Sequence, residues 1–245
     1  MYSSRLYSHE IWKRICFVIF HKPGGMIEAV IFDMDGLLIN SEPLWRKAEI
    51  SVFRKLGIDF TDAMCLKTVG YRIDEVVAYW RKFYDLGEEN NAIISNHIID
   101  ELIVLINDHG VEMNGVHYIL NFFRERNIKI AIATSSAYRI IDAVMEKLNI
   151  RNYFEGIHSA EHEVYGKPHP AVYLHAAGKV NAEPSHCLAF EDSFNGILSA
   201  KAARMKCVAV PEPHNYFDNR FIIADCRIHS LNDFTEEHWH TLNQH

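Results

Sequence analysis

A chain of 245 residues, 49% hydrophobic and 23% charged, has enough apolar material for one large α/β domain or for a core domain carrying a smaller insertion. Its formal charge of -7 at pH 7 excludes a general nucleic-acid binder, which needs a basic face to displace counterions. No apolar run approaches the roughly 18 residues of a membrane span, so no membrane partner is expected.

Five widely spaced cysteines, Cys16, Cys65, Cys187, Cys207 and Cys226, form no C-x-x-C pair and read as reduced thiols of a cytoplasmic protein. The fifteen histidines are scattered, and His238 and His240 cannot share a helix face, so no histidine-based transition-metal site is expected.

Residues 1–25 read as an N-terminal extension outside the catalytic argument. Ile15 to Phe20 follows Lys13 and Arg14 in the manner of a secretory signal, but the run is shorter than a usual apolar core and no small-residue cleavage site follows. Met26 stands directly before the first strand, which fits an upstream extension or a misplaced start codon as well as a targeting role.

Ala29 to Phe32 has the apolar, β-branched and aromatic pattern of a buried strand, and it ends in Asp33, Met34, Asp35 and Gly36. Alternation along an extended chain puts Asp33 and Asp35 on one side, while Gly36 permits a sharp turn and close approach to a ligand. Adjacent carboxylates repel unless something positive joins them. A hard cation such as Mg²⁺, which binds through one or two carboxylates and substrate phosphate oxygens, satisfies the pair. An acidic turn is the plain structural reading of the same residues.

From Ser41 the period changes. Ser41 as cap, Glu42 and Pro43 in the first turn, and Trp45, Ala48, Val52 and Leu56 at helical spacing predict a helix that Gly57 stops. Helical patterns follow at about 61–69, from Ile73 to Tyr84 and from Ala92 to Asn107, with no strand between them. About 100 residues thus separate the first strand from the next, Lys129 to Thr134, where a βαβ crossover needs only one helix. Residues 41–111 are expected to form an inserted helical cap, and residues 26–40 and 112–245 the core.

Beyond Thr134 the pattern alternates: helix 137–148, a short strand near Ile157, helix 170–179, strand Cys187 to Phe190, helix 194–203 and strand Cys207 to Val210. It predicts an α/β fold with a doubly wound parallel sheet. Ligands of such sheets bind outside the carboxyl ends of the strands, where Asp33, Asp35, Thr134, Glu191 and Asp192 fall.

An aspartate at a strand tip can attack phosphorus, and a second carboxyl can donate a proton to the departing alkoxide, which makes Asp33 and Asp35 the candidates. Thr134 offers a hydroxyl, and the Ser135 and Ser136 amides open a helix N-terminus, a ready anion site. The same three residues also read as caps of helix 137–148. Lys167, fixed between Gly166 and Pro168, reads either as a solvated loop lysine or as a point charge bridging nucleophile and phosphoryl group. Acidic Glu191 and Asp192 at the end of an apolar strand are costly unless they ligate something, although Asp192 or Ser193 could also cap the next helix. In the helical insertion, Gly70, Tyr71 and Arg72 sit at a helix–helix turn; the arginine can bind hydroxyls or phosphate bidentately.

The series Asp33/Asp35, Thr134, Lys167 and Glu191-Asp192 resembles, in order, the four motifs of the haloacid dehalogenase-like (HAD) phosphohydrolases. From about Met26 nearly to the C-terminus the chain looks most like the 2-deoxyglucose-6-phosphate and hexitol phosphatases of the beta-phosphoglucomutase-like group. The resemblance implies Asp33 as nucleophile, Asp35 as acid/base, and Asp33, the Asp35 carbonyl and Asp192 as ligands of Mg²⁺, with Mn²⁺ or Co²⁺ as substitutes. Glu191 would ligate directly or through water. Met34, Thr134, Ser135 and Lys167 would join Asp33 and Asp35 in holding substrate, with Gly70, Arg72 and Trp45 on the cap side.

The expected enzyme is a monomeric phosphatase acting on a small sugar or sugar-alcohol phosphate. Trp45 stands where sugar-phosphate mutases of the family carry histidine, which disfavours a mutase. Dehalogenation has no use for Glu191-Asp192, and a phospho-aspartate receiver module is far shorter.

Overall fold

The computed structural model describes residues 26–244, so the expectations for residues 1–25 and for Cys16 lie outside it. Six parallel strands, β1 (Ala29–Phe32), β2 (Lys129–Thr134), β3 (Gly156–Ser159), β4 (Cys187–Glu191), β5 (Lys206–Ala209) and β6 (Cys226–Arg227), form one sheet in the order β3-β2-β1-β4-β5-β6. The helices are α1 (Glu42–Lys55), α2 (Asp62–Cys65), α3 (Ile73–Trp80), α4 (Asn91–His109), α5 (Val116–Arg124), α6 (Tyr138–Leu148), α7 (Ala171–Lys179), α8 (Phe194–Ala202) and α9 (Glu236–Asn243). Winding proceeds outward from β1 to β3, then restarts on the other side at β4. The topological switch point therefore lies beside β1, and ligands of open α/β sheets bind at such a point.

The two faces of the sheet differ in side-chain size. Val30, Phe32, Ile132, Leu188 and Phe190 point to one face and pack with α5 and α9. Ala29, Ile31, Ala131, Ala133, Cys187 and Ala189 point to the other, where α7 and α8 lie through Tyr173, Ala176, Ala177, Ile197 and Ala200. Strand alternation produces this split. On the large-residue face Phe32 stacks on Phe190 with ring centroids 4.9 Å apart, and Phe123 of α5 meets Phe190 edge-on at 5.7 Å.

Helices α1 to α4 form one helical segment between β1 and α5, where the sequence reading expects the cap. Its two connections to the core run side by side: Asn40 N–H donates to the Val111 carbonyl and Met113 N–H to the Leu38 carbonyl, both at 3.0 Å. α4 packs on α6, with Arg139 paired to Asp100 and Lys147 Nζ donating to the Asn107 carbonyl.

Several elements differ from the sequence pattern. The pattern at 61–69 yields a single turn, α2, because the chain turns at Leu66–Tyr71 around Gly70 at φ 80°. α3 stops at Trp80, four residues short of Tyr84, which lies in turns. α5 carries no sequence signal at its start, since its first cap position is Gly115 at φ 93° with no side chain to cap. β6 has two residues, and α9 is rich in histidine and acid, so neither stands out by periodicity. Cys65, Cys187, Cys207 and Cys226 are free thiols.

Phe123 is fully buried among Phe32, Phe190, Phe234 and Trp239. Phe123→Ala should destabilise the core by about 3–5 kcal/mol and lower the melting temperature by roughly 10 °C. A drop under about 2 °C in a calorimetric scan would show that α5 is not part of the cooperative core.

Candidate active site

Strand register brings the carboxyl ends of β1, β2 and β4 together. Phe32 pairs with Ile132 on one side and Phe190 on the other, and Asp33 N–H donates to the Phe190 carbonyl at 3.0 Å. Asp33, Thr134 and Glu191 are thereby neighbours although far apart in sequence.

Lys167 enters from the loop before α7 and is buried at their centre. Its Nζ donates to Asp33 Oδ1 and Glu191 Oε1 at 2.6 Å each, and to the Ala133 carbonyl at 3.0 Å. The solvated-loop reading of this lysine is thereby replaced. Burial opposes the ammonium charge, but Asp33 and Glu191 hold it above its ordinary range. The Lys167–Pro168 peptide is cis.

Glu191 is fully buried and surrounded by donors. Tyr173 Oη reaches Oε1 at 2.7 Å, while Ser193 Oγ and N–H reach Oε2 at 3.1 and 3.3 Å. Its seat exists only because residue 196 is glycine, since a Cβ there would lie 1.9 Å from Glu191 Oε1. Ser193 also caps α8 by accepting from Gly196 N–H at 3.0 Å.

Asp35 is held from two sides. Oδ1 accepts from Ser41 Oγ at 2.6 Å and Trp45 Nε1 at 2.9 Å; Oδ2 accepts from Ser136 Oγ at 2.6 Å and, weakly, Thr134 Oγ1 at 3.4 Å. Ser41, expected to cap α1 with its side chain, makes no such bond because its hydroxyl is turned to Asp35. The hydroxyls of Thr134 and Ser136 likewise do not cap α6, whose cap position is Ala137 without a side-chain bond.

One cavity of about 110 Å³ gathers these groups, lined by Asp33, Asp35, Thr134, Ser135, Ser136, Lys167 and Asp192 from the core and by Trp45, Gly70 and Tyr71 from the cap. Met34 does not line it: its side chain is fully buried in the core, and its carbonyl accepts from Leu38 N–H at 2.8 Å.

Arg72 does not line the cavity either. Its guanidinium binds Asp74 through Nε at 2.6 Å and Nη2 at 2.7 Å, and Nη1 donates to the Ala160 and Glu163 carbonyls at 3.1 and 2.7 Å. It fastens the cap to the loop that delivers Lys167. Below that loop two of the scattered histidines meet, His158 Nε2 and His175 Nδ1 lying 2.6 and 2.5 Å from Glu163 Oε1.

The acidic residues fit a hard dication. Asp33, Glu191 and Asp192 each bring an oxygen within 4.8 Å of the others. Burial pushes the Asp33 carboxyl up to about 8; Lys167 pulls it back, while Glu191 and Asp35 add to the push. Asp192 is raised by burial and by Asp33 and Glu191. One ammonium does not balance this charge, and a divalent ion would. Gly36 at φ 73° leaves the necessary room, because a Cβ there would meet Asp192 Oδ2 at 2.2 Å.

Ser193 caps α8 as the sequence allowed, but its bond to Glu191, together with Tyr173, Gly196 and the Ser41 hydroxyl, escaped the sequence reading. Only Tyr173 carried a signal, as a phenol on a helix face otherwise made of Val172, Ala176 and Ala177.

The profile of the haloacid dehalogenase-like hydrolases matches residues 30–210. Hexitol phosphatase B of Escherichia coli K12 is 38% identical over 210 residues, 85% of this chain and 95% of that protein. Fructose-1-phosphate phosphatase of the same organism is 28% identical over 186 residues, 74% of this chain and 95% of that protein. Among solved structures, beta-phosphoglucomutase from Clostridium difficile matches with a TM-score of 0.77 at 26% identity, covering 89% of this chain and 97% of its own. CbbY from Rhodobacter sphaeroides in complex with phosphate matches at 0.76 and 25% identity, covering 85% and 96%. With its motif residues assembled around one cavity and these relatives spanning most of its length, the chain belongs to the haloacid dehalogenase-like hydrolase family and is a phosphatase.

Proposed function

We propose that the enzyme is a Mg²⁺-dependent phosphatase that hydrolyses a small sugar or sugar-alcohol phosphate, such as a hexitol phosphate or 2-deoxyglucose 6-phosphate, through an aspartyl-phosphate intermediate. The observation that carries this reading is the Asp33 carboxyl at the tip of β1, fixed through Oδ1 by Lys167 and lining the cavity. Hexitol phosphatase B, spanning 85% of the chain, supports the substrate class. The proposal extends to a monomeric, cytoplasmic enzyme; no helix among the described residues is long and apolar enough to cross a membrane.

In the first step an Asp33 oxygen attacks phosphorus, the bond to the ester oxygen breaks, and Asp35 gives a proton to the departing alkoxide. In the second, water attacks the acyl phosphate, Asp35 takes its proton, and phosphate leaves with Asp33 regenerated. Lys167, Thr134 and the Ser135 amide hold the equatorial oxygens, and Ser136 keeps the Asp35 carboxyl in place. Asp33, the Asp35 carbonyl and Asp192 would hold Mg²⁺, with Mn²⁺ or Co²⁺ able to substitute; when bound it neutralises charge on the transferring group. Glu191, with both oxygens already accepting from protein donors, orients Lys167 and would add negative charge beside the ion.

The resemblance puts a histidine of the sugar-phosphate mutases at the position of Trp45. Trp45 supplies an indole N–H, which only donates, and it is spent on Asp35. Free phosphate should therefore be the product.

Asp33→Asn should abolish phosphate release while the circular dichroism spectrum stays native. Activity above about 1% of wild type would remove Asp33 from its role, since losing a covalent nucleophile costs several orders of magnitude. Chelation with EDTA should stop turnover and added Mg²⁺ restore it; turnover that persists in EDTA would point to a metal-free displacement. Trp45→Phe removes one hydrogen bond to Asp35 and should lower kcat on a hexitol phosphate by roughly fivefold to tenfold. p-Nitrophenyl phosphate, whose leaving group needs little protonation, should lose less, and equal losses would make the indole a wall rather than a positioning group.

A further inference from the structure

Four residues of α1, Glu42, Trp45, Arg46 and Glu49, recur at helical spacing and line the active-site cavity as one face. Glu42 and Arg46 lean on each other at 3.8 Å, and Arg46 also faces Asp62 at 3.5 Å. Glu49 is different. Its residue is only 7% exposed, and Oε2 is buried without a hydrogen-bond partner.

A buried carboxyl oxygen left unpaired costs the fold its lost hydration, so the fold gains nothing from it unless something else binds there. The same cavity wall holds Cys65, whose thiol is a side-chain partner of Glu49, the Thr68 hydroxyl, which is spent on the Cys65 carbonyl at 3.3 Å, and apolar Ile73 and Val76. Burial pushes Glu49 up to about 7, with Cys65 and Arg46 pulling down and Glu42 pushing up, so the carboxyl can both accept from and donate to an alcohol.

We infer that Glu49 is the cap-side hydroxyl-binding residue of this phosphatase: its carboxyl group, on the cavity wall, pairs with a hydroxyl of a neutral polyol chain whose phosphate sits among Asp33, Thr134 and Lys167. This deepens the sugar-phosphate reading and rests on it. The core residues bind phosphate and cannot distinguish one ester from another, whereas a carboxyl on the cap wall can. It rewards a hydroxyl, and together with Glu42 it repels a second anionic group. Phosphorylated acids and bisphosphates are thus disfavoured, and neutral polyol and sugar monophosphates are favoured.

The test compares wild type, Glu49→Gln and Glu49→Ala on glucitol 6-phosphate, p-nitrophenyl phosphate and phosphoglycolate. In Glu49→Ala the ratio of kcat/KM for glucitol 6-phosphate to that for p-nitrophenyl phosphate should fall at least tenfold. Glu49→Gln should keep part of that ratio and raise phosphoglycolate relative to glucitol 6-phosphate. Melting temperatures of both substrate-free variants should equal or exceed wild type, because an unpaired buried carboxyl has been removed. A ratio within twofold of wild type in Glu49→Ala, or a fall in the ratio accompanied by a lower melting temperature in both variants, overturns the assignment. A wild type active on p-nitrophenyl phosphate but inert on every polyol and sugar phosphate tried would overturn the substrate reading itself, and Glu49 with it.

Discussion

A lysine ammonium buried between two carboxylates is the constraint on which the rest of this structure depends. Lys167 is tolerated in the interior only because Asp33, Glu191 and the Ala133 carbonyl surround it at hydrogen-bond distance. Those partners come from β1, β4 and β2, so the lysine is satisfied only when the sheet has formed in the right order and register. Losing one partner of such a group costs about 3–5 kcal/mol, far more than the pair contributes relative to apolar packing. The site is therefore expensive to the fold, and Tyr173, Ser193 and Gly196 serve to hold its most buried member, Glu191.

Asp35 ties this rigid centre to the cap. One of its oxygens is bound by core residues, Thr134 and Ser136, and the other by Ser41 and Trp45 at the root of the insertion. Any swing of α1 about the paired connections at Leu38–Asn40 and Val111–Met113 changes the donors on one oxygen and leaves those on the other. Arg72 is a second tie, fastening the cap to the loop that carries Lys167.

Carboxylates and a threonine at apolar strand ends were legible in the sequence because they break a strong pattern, and the structure brings Asp33, Asp35, Thr134 and Asp192 to one cavity with Lys167. The run of helices between the first two strands was legible because no strand interrupts the chain between Phe32 and Lys129. What stayed hidden depends on partners distant in sequence. Ser41 reads as a cap by every local rule, yet the Asp35 carboxylate takes its hydroxyl. Arg72 reads as a substrate arginine, yet backbone carbonyls some ninety positions away claim it, at separations of 88 and 91 residues. Glu49 has no place in the helical pattern read from the sequence, and only the packed structure shows that it is buried.

The central claim is that Asp33 attacks phosphorus and water attacks second, two in-line displacements at one centre. Each in-line displacement inverts the phosphorus. A hexitol phosphorothioate made chiral at phosphorus with two oxygen isotopes and hydrolysed in water carrying the third should therefore release inorganic thiophosphate with net retention of configuration. Net inversion would mean a single direct attack by water and would contradict the account.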